Sequence, residues 1–435
     1  MSNNLSASSS SSTHSFVARV DLTTIASLAG AAYQQFISID TPCTVTPVPK
    51  VGAFNVVWFL DFADGAQWVF RTPIVEWSPL LEQRMRSDII AMKLIQKNTT
   101  IPIPRIYDYS AIPENAIGRP YMLMERVKGT QLCKLWFNPA WFSQARRNTV
   151  FESLVSYMSQ LKALSFPSIG SLDYDAQLDE HVVIPLLPSY DDLENADTTI
   201  RGPYSTVHTY LLGEITRQFA SAPTTDHKVS LALLRLFAGS LPDETLDGPP
   251  FVLSMPDFNY QNVFVDDEGN VTGIIDWDGM IIGPRQGGYA RYPSWITRDW
   301  DPLVYGYPGN ENESTAEGQG SDEEAERPTT PASQLVTPIR PREELQEDSP
   351  ATLEAFREEY LAAFTRADPI SAHYTRHSHV YEALEIAISS PFCRGHIIDK
   401  LSRYVFGQEA ETGGTLSSWS LEQGVISGDW LRQLE

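Results

Sequence analysis

Residues 251–279 read FVLSMPDFNYQNVFVDDEGNVTGIIDWDG, and this stretch decides the fold class. An apolar run leads to Asp257 and Asn262, which lie five positions apart. Two short apolar segments follow, and the residues DDEGN between them have the Asp, Gly and Asn content of a tight turn. The pattern predicts a β-hairpin with a carboxylate and a carboxamide at its entrance and a second carboxylate, Asp276, at its exit.

The polar side chains of this hairpin are those that phosphoryl transfer needs, because that reaction depends on positioning and on neutralisation of charge. We predict that Asp257 orients an acceptor hydroxyl and takes its proton. Mg²⁺ prefers hard oxygen ligands, usually one or two carboxylates together with substrate phosphates. Asn262 and Asp276 would supply the protein's share, with Asp278 as a further ligand or a supporting group. An Asp-x4-Asn pair alone is common by chance, but its combination with two strands and a second carboxylate favours a phosphotransfer site.

Size and charge restrict the class of protein. The chain has 435 residues, of which 42% are hydrophobic, and this is enough for two or more packed lobes. The formal net charge of -23 disfavours binding to nucleic acid or to an anionic membrane. No apolar run approaches the roughly 18 residues that a membrane span requires. We therefore expect no nucleic-acid partner and no membrane partner.

The cysteines and the first residues indicate the compartment. The three cysteines, Cys43, Cys133 and Cys393, are far apart in sequence, which predicts reduced thiols in a cytoplasmic protein. Residues 1–20 are rich in Ser, Thr and Asn and lack an apolar core. We interpret them as a disordered tail and not as a signal peptide.

Residues 21–128 are expected to form a small lobe that binds the nucleotide. Alternating apolar residues predict strands, and longer stretches with helical periodicity predict two helices. The second helix should end before the prolines of the segment TIPIP, because proline cannot continue a helix. The expected elements are helices at 22–36 and 80–97 and strands at 55–62, 66–71, 105–109 and 120–127. Together with the strand pattern that precedes the turn at 51–55, they make a five-stranded lobe with one long crossing helix.

The chain after Lys128 is expected to form a larger, mainly helical lobe. It comprises residues 129–308, with the hairpin of 251–279, and further helices within 351–410. The expected helices are 143–164, 206–221, 227–240, 351–366, 373–388 and 393–405, and 166–205 is interpreted as an irregular surface insertion. Residues 309–350 contain eleven acidic and three basic residues with few apolar ones, which predicts a disordered acidic insertion. Residues 411–435 are assigned to a C-terminal tail.

Three parts of the small lobe are candidates for nucleotide binding. A turn of small residues has backbone N–H groups that can approach phosphates, although an ordinary hairpin turn is the alternative. Arg71 ends a strand and can contact the α- and β-phosphates, and Asp88 of the crossing helix can pair with it, with a surface salt bridge as the alternative. The backbone from Glu125 to Val127 leads into the second lobe and can bind an adenine edge. The turn consists of Gly52, Ala53, Phe54 and Asn55.

Over residues 45–300 and the helices after 351, the chain resembles the aminoglycoside phosphotransferase / choline kinase family, and especially its fungal branch. That family has the protein-kinase-like fold. Its pattern His-Gly-Asp-x4-Asn followed by Ile-Asp-Trp-Glu is similar to MPDFNYQN at 255–262 followed by IIDWD at 274–278. Supporting segments are GAFN at 52–55, WVFR at 68–71, TIPIP at 100–104 and IGRPYMLME at 117–125.

The resemblance implies an α+β, bilobal protein-kinase-like fold, with a small antiparallel-sheet N-lobe, one crossing helix and a larger, mainly helical C-lobe. It implies ATP and Mg²⁺ as cofactors. Asp257 takes the place of the catalytic base, and Asn262 and Asp276 take the places of the metal ligands. Arg71 stands where the family has its phosphate contact, and Asp88 stands for the helix glutamate that orients that contact.

The sequence departs from the family pattern at the catalytic loop and at the phosphate contact. Met255 replaces the histidine that supports the loop through hydrogen bonds, and Pro256 replaces the glycine and fixes φ near about -65°. Arg71 and Asp88 replace the common Lys–Glu pair. Arginine and lysine are not interchangeable at phosphate sites, but the opposite charges are retained.

Two functions remain open from the sequence. The first is an ATP-dependent O-phosphotransferase that acts on a hydroxyl of a small polar metabolite. The second is a nucleotide-binding, pseudokinase-like scaffold in which 309–350 recruits a protein partner. A Ser/Thr protein kinase is disfavoured because the Gly-x-Gly-x-x-Gly loop and the Asp-Phe-Gly motif are missing. Candidates for contact with the acceptor, with packing as the alternative, are Arg285, Tyr289, Arg291, Trp295 and Trp300.

Overall fold

The computed structural model describes residues 20–37, 41–240, 244–302, 305–307 and 346–406. Most of the predicted N-terminal tail, nearly all of the predicted acidic insertion and the predicted C-terminal tail lie outside the described residues. In the described part, two lobes form an α+β fold, which confirms the predicted fold class.

The N-lobe is an antiparallel sheet with a helix on each face. Its strand order is β1-β3-β4-β6-β5, and β2 pairs with the outer part of β3. Its elements are α1 (Leu22–Ile37), β1 (Cys43–Val45), β2 (Lys50–Val51), β3 (Asn55–Phe62), β4 (Gln67–Pro73), α2 (Pro79–Asn98), β5 (Ile106–Ser110) and β6 (Tyr121–Glu125). The sheet has six strands and not the five predicted, since the two-residue β2 is too short to give a periodic signal.

Neighbouring residues of one strand enter the two different cores of the N-lobe. Leu123 packs with Ile25 and Trp58 in the core that α1 covers. Met122 and Met124 pack with the α2 residues in the core that continues into the C-lobe. Because side chains alternate across a strand, one strand serves both faces of the sheet.

The crossing helix α2 begins and ends as its sequence predicts, to within one residue. Ser78 caps its N-terminus by accepting a hydrogen bond from the Leu81 N–H at 3.1 Å, and Pro79 occupies the first turn. The helix ends at Asn98, just before the proline-containing segment 100–104. Local signals at both ends therefore define it.

The C-lobe is mainly helical, with the catalytic-loop hairpin at its junction with the N-lobe. Helix α3 packs against α7, and α5 packs against α6 and α8. Its elements are β7 (Thr130–Gln131), α3 (Gln144–Met158), β8 (Ser165–Phe166), β9 (Ser171–Asp175), β10 (Glu180–Ile184), α4 (Tyr190–Glu194), α5 (Val207–Ser221), α6 (Thr225–Ser240), β11 (Phe251–Ser254), β12 (Val263–Val265), β13 (Val271–Ile274), β14 (Ile281–Gly283), α7 (Pro350–Ala367), α8 (Ala372–Ser389) and α9 (Arg394–Phe406). Among the described residues, no helix is both long and apolar enough to cross a membrane.

The segment 166–205 is not the irregular surface insertion that was expected. It forms the antiparallel hairpin β9–β10 and the short helix α4, and both β9 and α4 pack against α2. Tyr190 of α4 is 4% exposed. The segment is polar because only one side of it is buried, which hides the strand signal in the sequence.

The last residues of the predicted acidic insertion belong to the folded part. Glu347 forms an ion pair with Arg298, and the Asp348 carboxylate accepts a hydrogen bond from the Trp136 indole at 3.0 Å. Ser349 then caps α7. The boundary predicted at 350 is therefore wrong by at least four residues, because acidic residues with buried partners look the same in sequence as solvated ones.

Candidate active site

The hairpin β12–β13 brings the predicted catalytic and metal-binding residues to one end. Val263 lies opposite Ile274, and the Ile275 N–H donates to the Asn262 carbonyl at 2.8 Å. At the other end, the Asp266 carboxylate accepts from the Asn270 N–H at 2.8 Å and closes the turn. The entrance and exit of the hairpin are therefore adjacent, as the sequence predicts.

Asn262 holds the carboxylate of Asp257 in place. Its side-chain N–H group donates to Asp257 Oδ2 at 2.8 Å and to the Asp257 carbonyl at 3.1 Å. Gln261 also donates to Oδ2, at 3.0 Å. Within the described residues, Asp257 Oδ1 and Asn262 Oδ1 accept no hydrogen bond, so each keeps acceptor capacity for a ligand.

Asp276 has an unusual backbone and no side-chain partner. Its φ is +63°, a region in which a residue other than glycine is uncommon. Within the described residues its carboxylate makes no hydrogen bond. Loss of hydration and, after it, the charge of Asp278 raise the pKa of Asp276, and Arg71 opposes them; the net result is a pKa of about 7. A cation beside this carboxylate would favour its ionised form.

The oxygens at the hairpin exit fit a hard divalent cation. No group of three or more His, Cys, Asp and Glu side chains forms a metal site in the described ranges. However, Asn262 Oδ1 and the Asp276 carboxylate both have unused acceptor capacity, and the charge of Asp257 also raises the pKa of Asp276. Mg²⁺ needs only one or two protein ligands when phosphates supply the others, so this donor set fits it.

Asp278 is engaged by the N-lobe. Its Oδ1 lies 2.5 Å from the Arg71 guanidinium, and its Oδ2 accepts from the Asn55 side chain at 3.0 Å. Its side chain is 6% exposed. Because each of its oxygens already has one partner, Asp278 has less free acceptor capacity than Asp276, and it connects strands β3 and β4 to the hairpin exit.

Asp88 does not pair with Arg71, so that expectation is wrong. Its carboxylate lies 2.7 Å from Arg84, one turn earlier on α2, and both side chains are at most 1% exposed. It also accepts from the Gly279 N–H at 3.1 Å and from the Tyr190 hydroxyl at 3.1 Å. Burial raises the pKa of Asp88, and Arg84 opposes this shift. Asp88 therefore supports the hairpin exit by binding the Gly279 N–H, and it does not contact Arg71, the residue predicted to bind phosphate.

The other candidate nucleotide residues lie around the cleft between the lobes. The Gly52 N–H donates to the Asn55 carbonyl at 2.8 Å, which closes the β2–β3 turn. Gly52 and Ala53 are exposed, and the Phe54 ring packs near Tyr190 with 6.1 Å between ring centroids. The sequence did not indicate Tyr190, whose segment was interpreted as surface.

The connection between the lobes is fixed onto the hairpin. A Cβ on Gly273 would lie 1.9 Å from Val127 Cγ1, so only glycine permits this approach. Glu125 is exposed, and its backbone N–H donates to the Arg105 carbonyl at 2.8 Å. The backbone around Val127 therefore has a fixed position relative to the catalytic loop.

The space beside Arg71 is narrow. Its walls are Asn55, Met122, Tyr190 and Asp278 together with Arg71 itself, and the gap does not admit a water molecule. A phosphate that contacts the Arg71 guanidinium must therefore share it with Asp278 or displace that carboxylate.

The residues of 280–300 that were candidates for contact with the acceptor pack inside the C-lobe. Tyr289 and Trp295 are at most 2% exposed, and Trp300 is 7% exposed. Arg285 donates to the Gly248 carbonyl at 3.2 Å. Arg291 is also buried and contacts the catalytic loop. Packing, the alternative interpretation of these residues, is what the structure supports.

The model of the phosphotransferase enzyme family matches residues 44–307. The chain belongs to this family. This membership confirms the resemblance drawn from the motifs at 255–262 and 274–278, and it identifies a kinase-type phosphotransferase with a bilobal, kinase-like fold.

Curated relatives share only part of the chain. A subtelomeric hrmA-associated cluster protein of Aspergillus fumigatus is 26% identical over 139 residues, which are 32% of this chain and 26% of that protein. The mitochondrial protein named altered inheritance of mitochondria protein 9 of Debaryomyces hansenii is 24% identical over 129 residues, 28% of this chain and 20% of that protein. The chain thus spans about a quarter of the length of these relatives.

Solved structures of kinases and phosphotransferases are also similar. A putative aminoglycoside phosphotransferase from Ralstonia eutropha has 13% identity and a TM-score of 0.46, with 95% of this chain and 99% of that chain covered. A putative fructosamine-3-kinase from Thermobifida fusca has 13% identity and a TM-score of 0.44, with coverages of 89% and 96%.

Proposed function

We propose that the protein is an ATP-dependent O-phosphotransferase that phosphorylates a hydroxyl of a small polar metabolite. One observation carries this proposal. The Asn262 carboxamide holds Asp257 with its N–H group, so its oxygen remains available at the end of the hairpin where Asp276 follows β13, and the Asp276 carboxylate makes no hydrogen bond within the described residues. The hairpin thus has a proposed base, Asp257, and a separate pair of proposed metal ligands, Asn262 and Asp276. Membership of the phosphotransferase family supports this assignment.

Asp257 is the proposed catalytic base. Two hydrogen bonds hold its Oδ2, from Gln261 at 3.0 Å and from Asn262 at 2.8 Å. Its Oδ1 is then the atom that accepts the proton of the acceptor hydroxyl as the hydroxyl oxygen bonds to the γ-phosphorus of ATP. The bond from that phosphorus to the β–γ bridging oxygen breaks, and ADP is the leaving group.

Asn262 and Asp276 are the proposed ligands of Mg²⁺, through Asn262 Oδ1 and the Asp276 carboxylate. When bound, the metal would neutralise charge on the phosphates of ATP. We assign Asp278 the role of the supporting group and not of a direct ligand, because Arg71 and Asn55 each engage one of its oxygens.

Contacts to ATP are assigned to the N-lobe side of the cleft. We propose that Arg71 binds phosphate oxygens, with Asp88 acting only through Gly279 and Arg84. The backbone N–H groups of Ala53 and Phe54 would approach the phosphates, since that of Gly52 closes the turn, and the backbone of 125–127 would bind the adenine edge.

A nucleotide-binding scaffold without catalysis is the second candidate. Met255 and Pro256 in place of His and Gly favour it, because they alter the loop that carries the proposed base and not the nucleotide contacts proposed in the N-lobe.

Thermal stabilisation and turnover together separate the two functions. The unfolding temperature of the full chain is measured with ATP and Mg²⁺ together and with either alone. In a separate assay, ATP consumption is measured against a library of hydroxyl-bearing metabolites. The enzyme should show Mg²⁺-dependent stabilisation and turnover with at least one acceptor. Stabilisation without turnover supports the scaffold, and the absence of both refutes both proposals.

Matched variants assign the roles. Asp257→Asn should abolish turnover and retain the stabilisation by Mg²⁺ and ATP, whereas Asp276→Asn should remove that stabilisation. Asp267→Asn makes the same change of charge at an exposed position in the turn of the same hairpin, and it should alter neither.

A further inference from the structure

The catalytic loop, residues 255–262, is held by a buried arginine from another part of the C-lobe. The Arg291 guanidinium donates to the Met255 carbonyl at 2.6 Å and to the Pro256 carbonyl at 3.2 Å. Arg291 is 8% exposed. These are the two carbonyls immediately before the proposed base, Asp257.

The same segment also holds the loop after the base. The Ser294 N–H and hydroxyl donate to the Phe258 carbonyl at 2.9 and 3.0 Å. Backbone acceptors on both sides of Asp257 are therefore bound by residues 291–294. Two fixed flanking peptides leave the Asp257 side chain few directions in which to point.

Arg291 has its own anchor on α8. Its second guanidinium nitrogen lies 3.7 Å from Glu382 Oε1, and Glu382 Oε2 accepts from the Thr297 hydroxyl at 3.2 Å. Burial raises the pKa of Glu382, and Arg291 opposes this shift. A chain of contacts thus runs from α8 through Arg291 to the catalytic loop.

The loop itself does not supply these donors. The Met255 side chain is 1% exposed, lies in the apolar core and has no N–H group. Pro256 has no backbone N–H. The contact to the Met255 carbonyl is buried, and a buried carbonyl without a partner destabilises the fold, so a donor from outside the loop is needed there.

We propose that Arg291 is a positioning residue that orients Asp257 by binding the carbonyls of Met255 and Pro256. Glu382 fixes the guanidinium for this task. This proposal deepens the proposed function and rests on it for the effect on turnover, although its structural part does not depend on catalysis.

The test compares Arg291→Gln with a variant of an arginine that contacts the other end of the hairpin. Arg146 of α3 also donates to two carbonyls, each at 2.8 Å: that of Asp267 in the hairpin turn and that of Trp141 just before α3. Amide hydrogen exchange of the full chain is measured for residues 255–262 and 266–270. Arg291→Gln should raise exchange in 255–262, and Arg146→Gln should raise it only in 266–270.

Turnover provides the second readout. Arg291→Gln should lower kcat by roughly 10- to 100-fold, because a misplacement of about 1 Å has effects of that size, while the KM for ATP stays within about twofold. Arg291→Lys, which can still donate to one carbonyl, should recover part of the loss. Arg146→Gln should leave kcat unchanged.

The outcomes are distinguishable. If Arg291→Gln leaves exchange in 255–262 unchanged, or lowers kcat no more than Arg146→Gln does, the positioning role is refuted. If the wild type shows no turnover, the proposed function fails and the exchange comparison still decides the positioning role. If Arg291→Gln does not fold, Glu382→Gln is tested instead. This variant retains Arg291 and should show a smaller rise of exchange in 255–262 and a smaller loss of kcat.

Discussion

The buried pair of Arg84 and Asp88 on α2 allows a quantitative test of how the N-lobe supports the site. Asp88→Asn keeps one oxygen that can accept from the Gly279 N–H, and its NH2 group can donate to the Tyr190 hydroxyl oxygen, but it leaves the guanidinium without a counter-charge. Both side chains are at most 1% exposed, so solvent does not compensate for the loss. Removal of one partner of a buried pair costs about 3–5 kcal/mol, and we expect that loss in the free energy of unfolding.

The double variant provides the decisive comparison. Arg84→Met removes the charge and also the hydrogen bond to the Met280 carbonyl at 2.7 Å, so alone it should cost about 3–5 kcal/mol as well. Combined with Asp88→Asn, neither charge remains, and the total should be about 3–5 kcal/mol and not the sum of the two. When the total equals one single loss, the coupling energy is about 3–5 kcal/mol.

The assay is urea unfolding of the full chain, followed by circular dichroism and by tryptophan fluorescence. The same helix offers a control pair at the same spacing, Glu82 and Arg86, separated by 2.9 Å, with side chains that are 23% and 51% exposed. Glu82→Gln should cost at most about 1 kcal/mol. The reasoning is refuted if Asp88→Asn costs no more than Glu82→Gln, or if the coupling energy is below about 1 kcal/mol.

Three further predictions concern the site and its surroundings. The affinity for ATP with Mg²⁺, measured by calorimetry, should fall as the pH drops from about 8 to about 6. Asp276, a proposed metal ligand, has a pKa raised to about 7 and becomes protonated in this range. Asp276→Asn should bind ATP weakly and without this pH dependence. Gly129→Ala should lower the unfolding temperature more than Gly65→Ala. Both glycines have positive φ, but of the two only Gly129 would place a Cβ 2.5 Å from a side-chain oxygen. Equal losses would contradict this expectation. Deletion of 309–345 should barely change the unfolding temperature. A deletion that extends through Glu347 should lower it, because it removes the ion pair with Arg298. A large drop for the shorter deletion would show that the segment stabilises the fold.

The elements that the sequence predicted well are those with local determinants. The hairpin β12–β13 combines two short apolar strands with a DDEGN turn, and its bounds need no information from elsewhere in the chain. Helix α2 has a serine cap, an initial proline and a proline-containing segment after its end. Asp257, Asn262 and Asp276 converge because they flank that hairpin, and so their proximity was predictable.

What the sequence did not reveal depends on choices between distant partners. The sequence indicated Asp88 as the partner of Arg71, but tertiary packing brings Asp278 to Arg71 instead, and Arg84 of the same helix pairs with Asp88. Likewise, Arg291 resembled a residue that contacts the acceptor, since nothing in its neighbourhood shows that it is buried. The direction of a side chain in a loop depends on elements far away in sequence.

The two carboxylates at the hairpin exit show why such choices affect chemistry. Only Trp277 separates them, and its buried indole donates to the Ile274 carbonyl at 2.9 Å, which fixes the chain between them. Asp278 then meets Arg71, while Asp276 adopts a φ of +63° and has no partner among the described residues. Such a backbone costs about 1–3 kcal/mol and persists only where surrounding contacts impose it. Packing alone does not explain a strained residue whose carboxylate has no counter-charge and a raised pKa. A cation bound to Asp276 would explain both features. The backbone and charge of Asp276 therefore favour metal-dependent nucleotide binding.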